Sequence, residues 1–477
     1  MYKYRIYQCI GLAGICLAIA SCKIPAITQP VMNNTVPVSF SDSKDTTNMA
    51  AMNWRQFFTD KNLVSLIDTA LMNNQELMIT LQDIEITRND IRLRQGQLTP
   101  TVGARLGLGV EKVGRYTSQG AGDASTEIAP GRETPDPLMD YGASLYANWE
   151  VDIWKKLHNS KKAAVSRYLA TVEGKNFVLT NLIAEVANSY YELLSLDNQL
   201  DIVKQNIELQ KNALEIVKVQ KEATRVTELA VQKFKAEVLN SQSLEFELHQ
   251  QITETENKIN TLLGRYPHEI TRDKSSFLSA LPPIVHAGIP SQLLANRPDI
   301  RQAELELAAS KLDVKVARAE FYPSLGISAA FGLQAFRPSY FVKLPESILY
   351  SLAGDLAGPL VNRNAIKAEF SSANARQIQA MYNYQKVILN AYMEVANQLS
   401  NIDNLGKSYD LKSKEVAALS SSIDISNDLF RSARADYLEV LIAQRDALAS
   451  KLELVEKKKE QLNAATSVYQ NLGGGWK

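Results

Sequence analysis

The chain has 477 residues, 45% of them hydrophobic and 22% charged, with Lys plus Arg equal to Asp plus Glu at 52 each. That balance is the one of a folded protein rather than a disordered one, and the absence of net positive charge argues against nucleic acid as a partner. All three cysteines fall within the first 22 residues, so the rest of the chain has no disulfide, zinc-thiolate site or thiol nucleophile.

The N-terminal stretch "MYKYRIYQCIGLAGICLAIASC" has a basic start at Lys3 and Arg5 and an apolar run from Ile10 to Ala20. This is a secretory signal pattern, too short to span a bilayer, and it assigns residues 1–21 to a signal peptide. Its last residues, Ile19-Ala20-Ser21-Cys22, resemble a bacterial lipobox, with Ile19 where Leu is more common. The resemblance implies that Cys22 becomes the lipid-modified first residue; the alternative is ordinary cleavage near Ala20 that leaves Cys22 a thiol. Loss of Lys3 and Arg5 would leave 50 basic against 52 acidic residues, about −2. Residues 22–53 are rich in Pro, Asn and Ser and read as an extended tether.

From Trp54 onward the chain reads twice. "EVAN" occurs at Glu185–Asn188 and again at Glu394–Asn397, and the spacing from each Asn to Gly264 of "NTLLGRYP" and to Gly473 of "YQNLGGGW" is 76 residues in both copies. Arg225 with Arg434, Leu229 with Leu438 and Val231 with Val440 keep that offset of 209 residues. Upstream, the segment around Pro100 matches that around Pro323 at an offset near 223, so the first copy carries an insertion of about 14 residues. "TSQGAGDASTEIAPGRETPDPL" fits it as a loop without periodicity. Repeat 1 then covers 54–270, a linker 271–295 and repeat 2 296–477.

Each copy holds two strand patterns followed by long helices. Val102, Leu106, Leu108 and Val110 alternate, as do Leu325, Ile327, Ala329, Phe331 and Leu333; Tyr141 to Val151 alternates against Ser144, Asn148, Glu150 and Asp152. "YSLAGDLAGPLV" is a weaker strand expected to end or bend near Pro359. Proline is absent between Pro137 and Pro267 and after Pro359. A helix from about Lys155 to Thr224 would run roughly 100 Å at 1.5 Å per residue. Its apolar positions Leu196, Leu200, Val203, Ile207, Leu214 and Val217 step by 4, 3, 4, 7 and 3, the spacing of helices lying side by side, and Val416, Leu419, Ile423 and Phe430 repeat it. Such stripes alone also suit a soluble coiled-coil scaffold. Four half-apolar strands, however, are too few for a closed barrel and leave two open edges, so they form either a small soluble sheet or part of a barrel shared among chains.

The elements "NWRQFFTDKNLVSLIDTALMNNQEL", "QLTPTVGARLGLG", "WEVDIWKK", "IPSQLLANRPDIRQAELELAASKLDVKVARAEFYPSLGIS", "DYLEVLIAQRDAL" and "LGGGW", in that order, resemble the TolC/OprM-type outer-membrane channels, the lipoprotein branch of the outer-membrane efflux proteins. The resemblance implies an α+β membrane protein: a homotrimer whose 12-stranded β-barrel, four strands per chain, is continued by a long α-helical coiled-coil barrel with two internal repeats per chain. It implies the exit duct of a tripartite efflux system in the outer membrane, with its helices in the periplasm, fed by a periplasmic adaptor and an inner-membrane pump of RND type. No cofactor is implied beyond lipid on Cys22. A type I secretion exit channel and a lipid-anchored periplasmic adaptor remain alternatives. Arg297 and Asp299 are expected to cap and pair helices, with Pro298 in the first turn.

The same resemblance places the periplasmic gate at the two hairpin turns and nominates Arg225, Thr227, Glu228, Arg434, Asp436 and Tyr437. Thr224 and Ala433 stand where the family has Gly, and Ile442 where it has Asp; neither Thr nor Ala takes positive φ cheaply, so the turn geometry is left open. An enzyme finds no support: His158, His249, His268 and His286 lack metal-ligand spacing, and no phosphate loop or Gly-x-Ser-x-Gly is present.

Overall fold

The computed structural model describes residues 47–476 except 276, 281–282, 284–285, 360–363 and 433, together with Ala26, Pro37, Ser39 and Phe40. The signal peptide, Cys22, most of the tether and Ala433 lie outside the described residues. The chain divides into two compact units, one built on Glu85–Tyr168 and Leu305–Met381, the other on 47–84, Leu169–Glu304 and 382–476.

The first unit holds an antiparallel sheet of β1 (Thr101–Glu111), β2 (Leu138–Val151), β3 (Ser324–Ala335) and β4 (Ile348–Ala357), in that spatial order. β4 ends two residues before Pro359, which cannot donate to a ladder. The expected loop between β1 and β2 contains a short helix, Ser118–Asp123, and a ribbon of Glu127–Ala129 with Arg132–Glu133. Neither is long enough to leave a periodic signature; the helix is held by Thr117, whose hydroxyl accepts from the Gly120 N–H at 3.1 Å.

The longer helices are α1 (Lys61–Asn73), α2 (Gln75–Gly96), α3 (Lys156–Glu222), α4 (Glu228–Leu262), α5 (Pro298–Ala319), α6 (Asn364–Arg431) and α7 (Tyr437–Asn471). Their lengths show the duplication directly: α2 and α5 have 22 residues each, α3 and α6 have 67 and 68, and α4 and α7 have 35 each. Asp152 starts α3 by accepting from the Leu157 and His158 N–H groups at 2.9 and 2.8 Å. Pro298 opens α5, where its missing N–H is harmless. The seam positions Leu196, Leu200, Val203, Ile207, Leu214 and Val217 are all buried, each contributing about 1.5–3 kcal/mol as a covered apolar side chain.

In the second unit each copy is tied together by polar contacts of its own. Arg297 donates to Asp299 at 2.6 and 3.0 Å, to Glu394 of the second "EVAN" at 2.8 Å and to the Asn471 carbonyl at 3.0 Å. Burial opposes its charge, but Asp299 and Glu394 more than offset that and hold the guanidinium protonated. In the linker, Arg272 clamps α3 and α4 through Asp197, at 2.5 Å, and Glu256.

Matched glycines close matched helices. Gly264 and Gly473 follow the ends of α4 and α7 with φ of +66° and +86°, and a Cβ on either would lie 2.2 Å from the Asn73 carbonyl oxygen or 2.5 Å from that of Asn296. Backbone strain and close approach therefore coincide at both sites. We expect Gly473→Ala to destabilise the protein by about 1–3 kcal/mol, read as a lowered melting temperature of the detergent-solubilised protein; an unchanged transition would remove the close approach as the reason for glycine.

Candidate functional site: a membrane face and a helical tip

The register of the sheet sorts most of its side chains by polarity. Leu106 lies opposite Ala143, Leu108 opposite Tyr141, Leu145 opposite Phe331, Trp149 opposite Ile327, Phe331 opposite Tyr350 and Ala329 opposite Leu352. One face is thus apolar across all four strands, and it is bare: Leu106 is 86% exposed, Tyr350 80% and Leu352 79%. The other face carries Arg105, Ser144, Asn148, Ser328, Ser351 and Asp355, with glycines at 103, 107, 109, 142, 326 and 332.

Tryptophans mark the end of the sheet at which the strands meet the helices. Trp149 Nε1 donates to the Leu98 carbonyl at 3.1 Å, and Trp154 stacks on Tyr322 at 4.7 Å while its Nε1 donates to the Pro323 carbonyl at 2.7 Å. An amphipathic ring with a satisfied N–H suits a lipid–water boundary. Among the described residues no helix is long and apolar enough to cross a membrane, so the apolar surface suited to lipid is that of the strands.

The tip of the hairpins is built around a second cluster, Leu214, Val217, Ala230, Val231, Phe234, Val238 and Val440, on which Val226, Phe430 and Tyr437 pack. The first turn takes the left-handed geometry despite its residue: Thr224 has φ +58°, which costs an L side chain about 1–2 kcal/mol. It is held there by the N–H of Thr224 to the Lys221 carbonyl and of Arg225 to the Gln220 carbonyl, both 2.9 Å, the bond pair usually closed around glycine. Arg434 repeats the second bond, to the Leu429 carbonyl at 2.8 Å.

The nominated residues separate into roles. Glu228 is engaged by Lys221 across the turn and by Gln232 Nε2 at 2.6 Å. The hydrogen bond from Lys221 holds its carboxyl below the usual range, so the contact persists at neutral pH and is lost as pH falls through that depressed value. At the equivalent positions of the second copy stand Phe430 and Tyr437, both packed on the apolar cluster: an ion pair bridges one turn where two rings flank the other. Lys221 was not singled out from sequence, although its seven-residue separation from Glu228 across the turn was visible there. Thr227 begins α4 without a side-chain cap bond, whereas Asp436 caps α7 through the Tyr437 N–H at 2.6 Å. Arg225 and Arg434 are exposed and make no ion pair among the described residues.

The outer membrane efflux protein model matches residues 66–265 and 289–474. The chain belongs to that family. This outer membrane efflux protein is 28% identical over 473 residues to the pyoverdine export outer membrane protein OpmQ of Pseudomonas aeruginosa, covering 98% of this chain and 97% of the relative. It is 27% identical over 471 residues to the cation efflux system protein CusC of Escherichia coli O6:H1, covering 97% of each. The crystal structure of CusC superimposes with a TM-score of 0.80 at 25% identity, over 94% of this chain and 99% of that one. The chain is therefore an outer-membrane channel of an efflux system, its bare apolar strand face turned to lipid and its helices to the periplasm. Within this efflux protein, no group of three His, Cys, Asp or Glu side chains among the described residues is placed to hold a metal ion.

Arginine on the lipid face of such a sheet costs about 2–4 kcal/mol near mid-membrane, and on the lumen face far less. Leu352→Arg should accordingly reduce the folded protein recovered from outer membranes, while its neighbour Ser351→Arg stays close to wild type. Equal recovery of the two variants would contradict the assignment of faces.

Proposed function

We propose that three copies of this chain close one 12-stranded barrel and form the exit duct of a tripartite efflux system, engaging a periplasmic adaptor and an inner-membrane pump of RND type. The supporting observation is the sheet itself. Among the described residues the outer edges of β1 and β4 pair with nothing, and an open edge is untenable in hydrocarbon. Two copies would supply eight strands, but an eight-stranded barrel is filled by its inward side chains. The inward face here is largely polar, with Arg105, Asp140, Asn148, Glu150, Gln334 and Asp355 beside serine at 144, 328 and 351, a lining that suits a wider, water-filled bore better than a packed interior. An adaptor-like coiled coil would leave the apolar strand face without a purpose.

In this reading Arg225, Thr227, Glu228, Arg434, Asp436 and Tyr437 ring the periplasmic end around the three-fold axis, and contact with the adaptor shifts the tip from a closed to an open arrangement. OpmQ is named for pyoverdine export and CusC for cation efflux; cargoes so unlike on one scaffold leave selection to the pump. Purified channel should run as a trimer and conduct ions in planar bilayers, and Asp436→Ala should raise the resting single-channel conductance. A non-conducting monomer would overturn the duct, and an unaltered resting current would take Asp436 out of the gate.

We further propose that Cys22 carries the lipid. Each acyl methylene contributes about 0.8 kcal/mol, so two or more chains anchor a protein stably. Labelled palmitate should enter the wild-type protein and not Cys22→Ser; label retained in the variant would place the lipid elsewhere.

A further inference from the structure

The seam of α3 has one gap. Its apolar positions step by three or four residues except between Ile207 and Leu214, and the seam position skipped is Gln210. Gln210 is 0% exposed, and among the described residues neither its Nε2 nor its Oε1 has a hydrogen-bond partner. Its neighbours along the seam differ from it: one turn earlier Asn206 contacts the Ser241 hydroxyl at 3.4 Å, and one turn later Leu214 belongs to the tip cluster. Because one chain already covers the side chain fully, an adjoining copy cannot reach the amide unless the helices move.

The second repeat supplies an internal comparison. The position equivalent to Gln210 in α6 is Leu419, an ordinary seam residue, and the polar residues on that seam are satisfied, Lys412 by Glu415 and Glu453 at 2.7 Å and Ser426 by donating to the Ile423 carbonyl at 3.0 Å. An amide taken from water and given no partner opposes the packed state, whereas parting of α3 and α4 lets water reach it. The penalty therefore falls on one hairpin and beside its tip cluster.

We propose that Gln210 is a built-in weak point of the first hairpin that biases the tip toward opening, its amide becoming hydrated as the helices separate. This rests on the gate reading above, and two independent readouts separate their failures. In full-length purified channel, Gln210→Leu, which installs the residue used by the second repeat, should raise the melting temperature by a few degrees and reduce open occupancy in planar bilayers several-fold. Gln210→Met, closer in shape, should do the same and guards against a packing fault peculiar to Leu. A melting temperature that is unchanged or lower in both variants would show that the amide finds a partner in the assembled channel and would overturn the proposal. A higher melting temperature with unaltered open occupancy would also overturn it, while leaving the gate itself to the Asp436→Ala measurement.

Discussion

Backbone hydrogen bonding at the rim of a four-stranded sheet governs this protein. Every N–H and C=O inside lipid requires a partner, and one chain can satisfy only the inner ladders, β1 with β2, β2 with β3 and β3 with β4. The apolar face that would make such a sheet insoluble in water is what makes it usable in a bilayer, and the largely polar opposite face suits a water-filled bore. Assembly, membrane insertion and conduction are on this view one event rather than three.

The helical hairpins meet a different constraint, that of holding helices of nearly 70 residues in register. Buried apolar seams provide most of the stabilisation, but a regular seam can slip, and both repeats place a polar contact between the hairpin helices beside it. Asn206 meets Ser241 in the first hairpin, and Glu415 meets Ser450, at 3.1 Å, in the second. These pairs occupy equivalent positions, so both coils are pinned at the same level by different chemistry. The tip follows the same logic, with Lys221 and Glu228 in one copy and Phe430 and Tyr437 in the other. Duplication kept the geometry and let the side chains diverge.

Much of the fold was legible in the chain. Alternation located the four strands, the proline-free stretches marked where the long helices lie, the reading of Lys155 to Thr224 came within two residues of α3, and the skipped seam position at Gln210 stood in plain view as a step of seven. Less visible were the short helix and ribbon after β1, which fall below the length at which periodicity carries information. The conformation of Thr224 was not decided by propensity: local preference disfavours φ +58°, and the helix-closing hydrogen bonds together with the packing of Val226 override it.

Sequence by itself determined the strands, the helices and the duplication, because periods of two and of three to four residues and a repeated spacing are properties of order along a chain, and the ordered motifs from Trp54 to Trp476 carried the family resemblance. Tertiary structure alone decided which strands are neighbours, that one face is apolar without interruption, that Lys221 reaches Glu228, and that Gln210 lacks a partner among the described residues. Those depend on which distant residues meet, and no local pattern specifies a meeting.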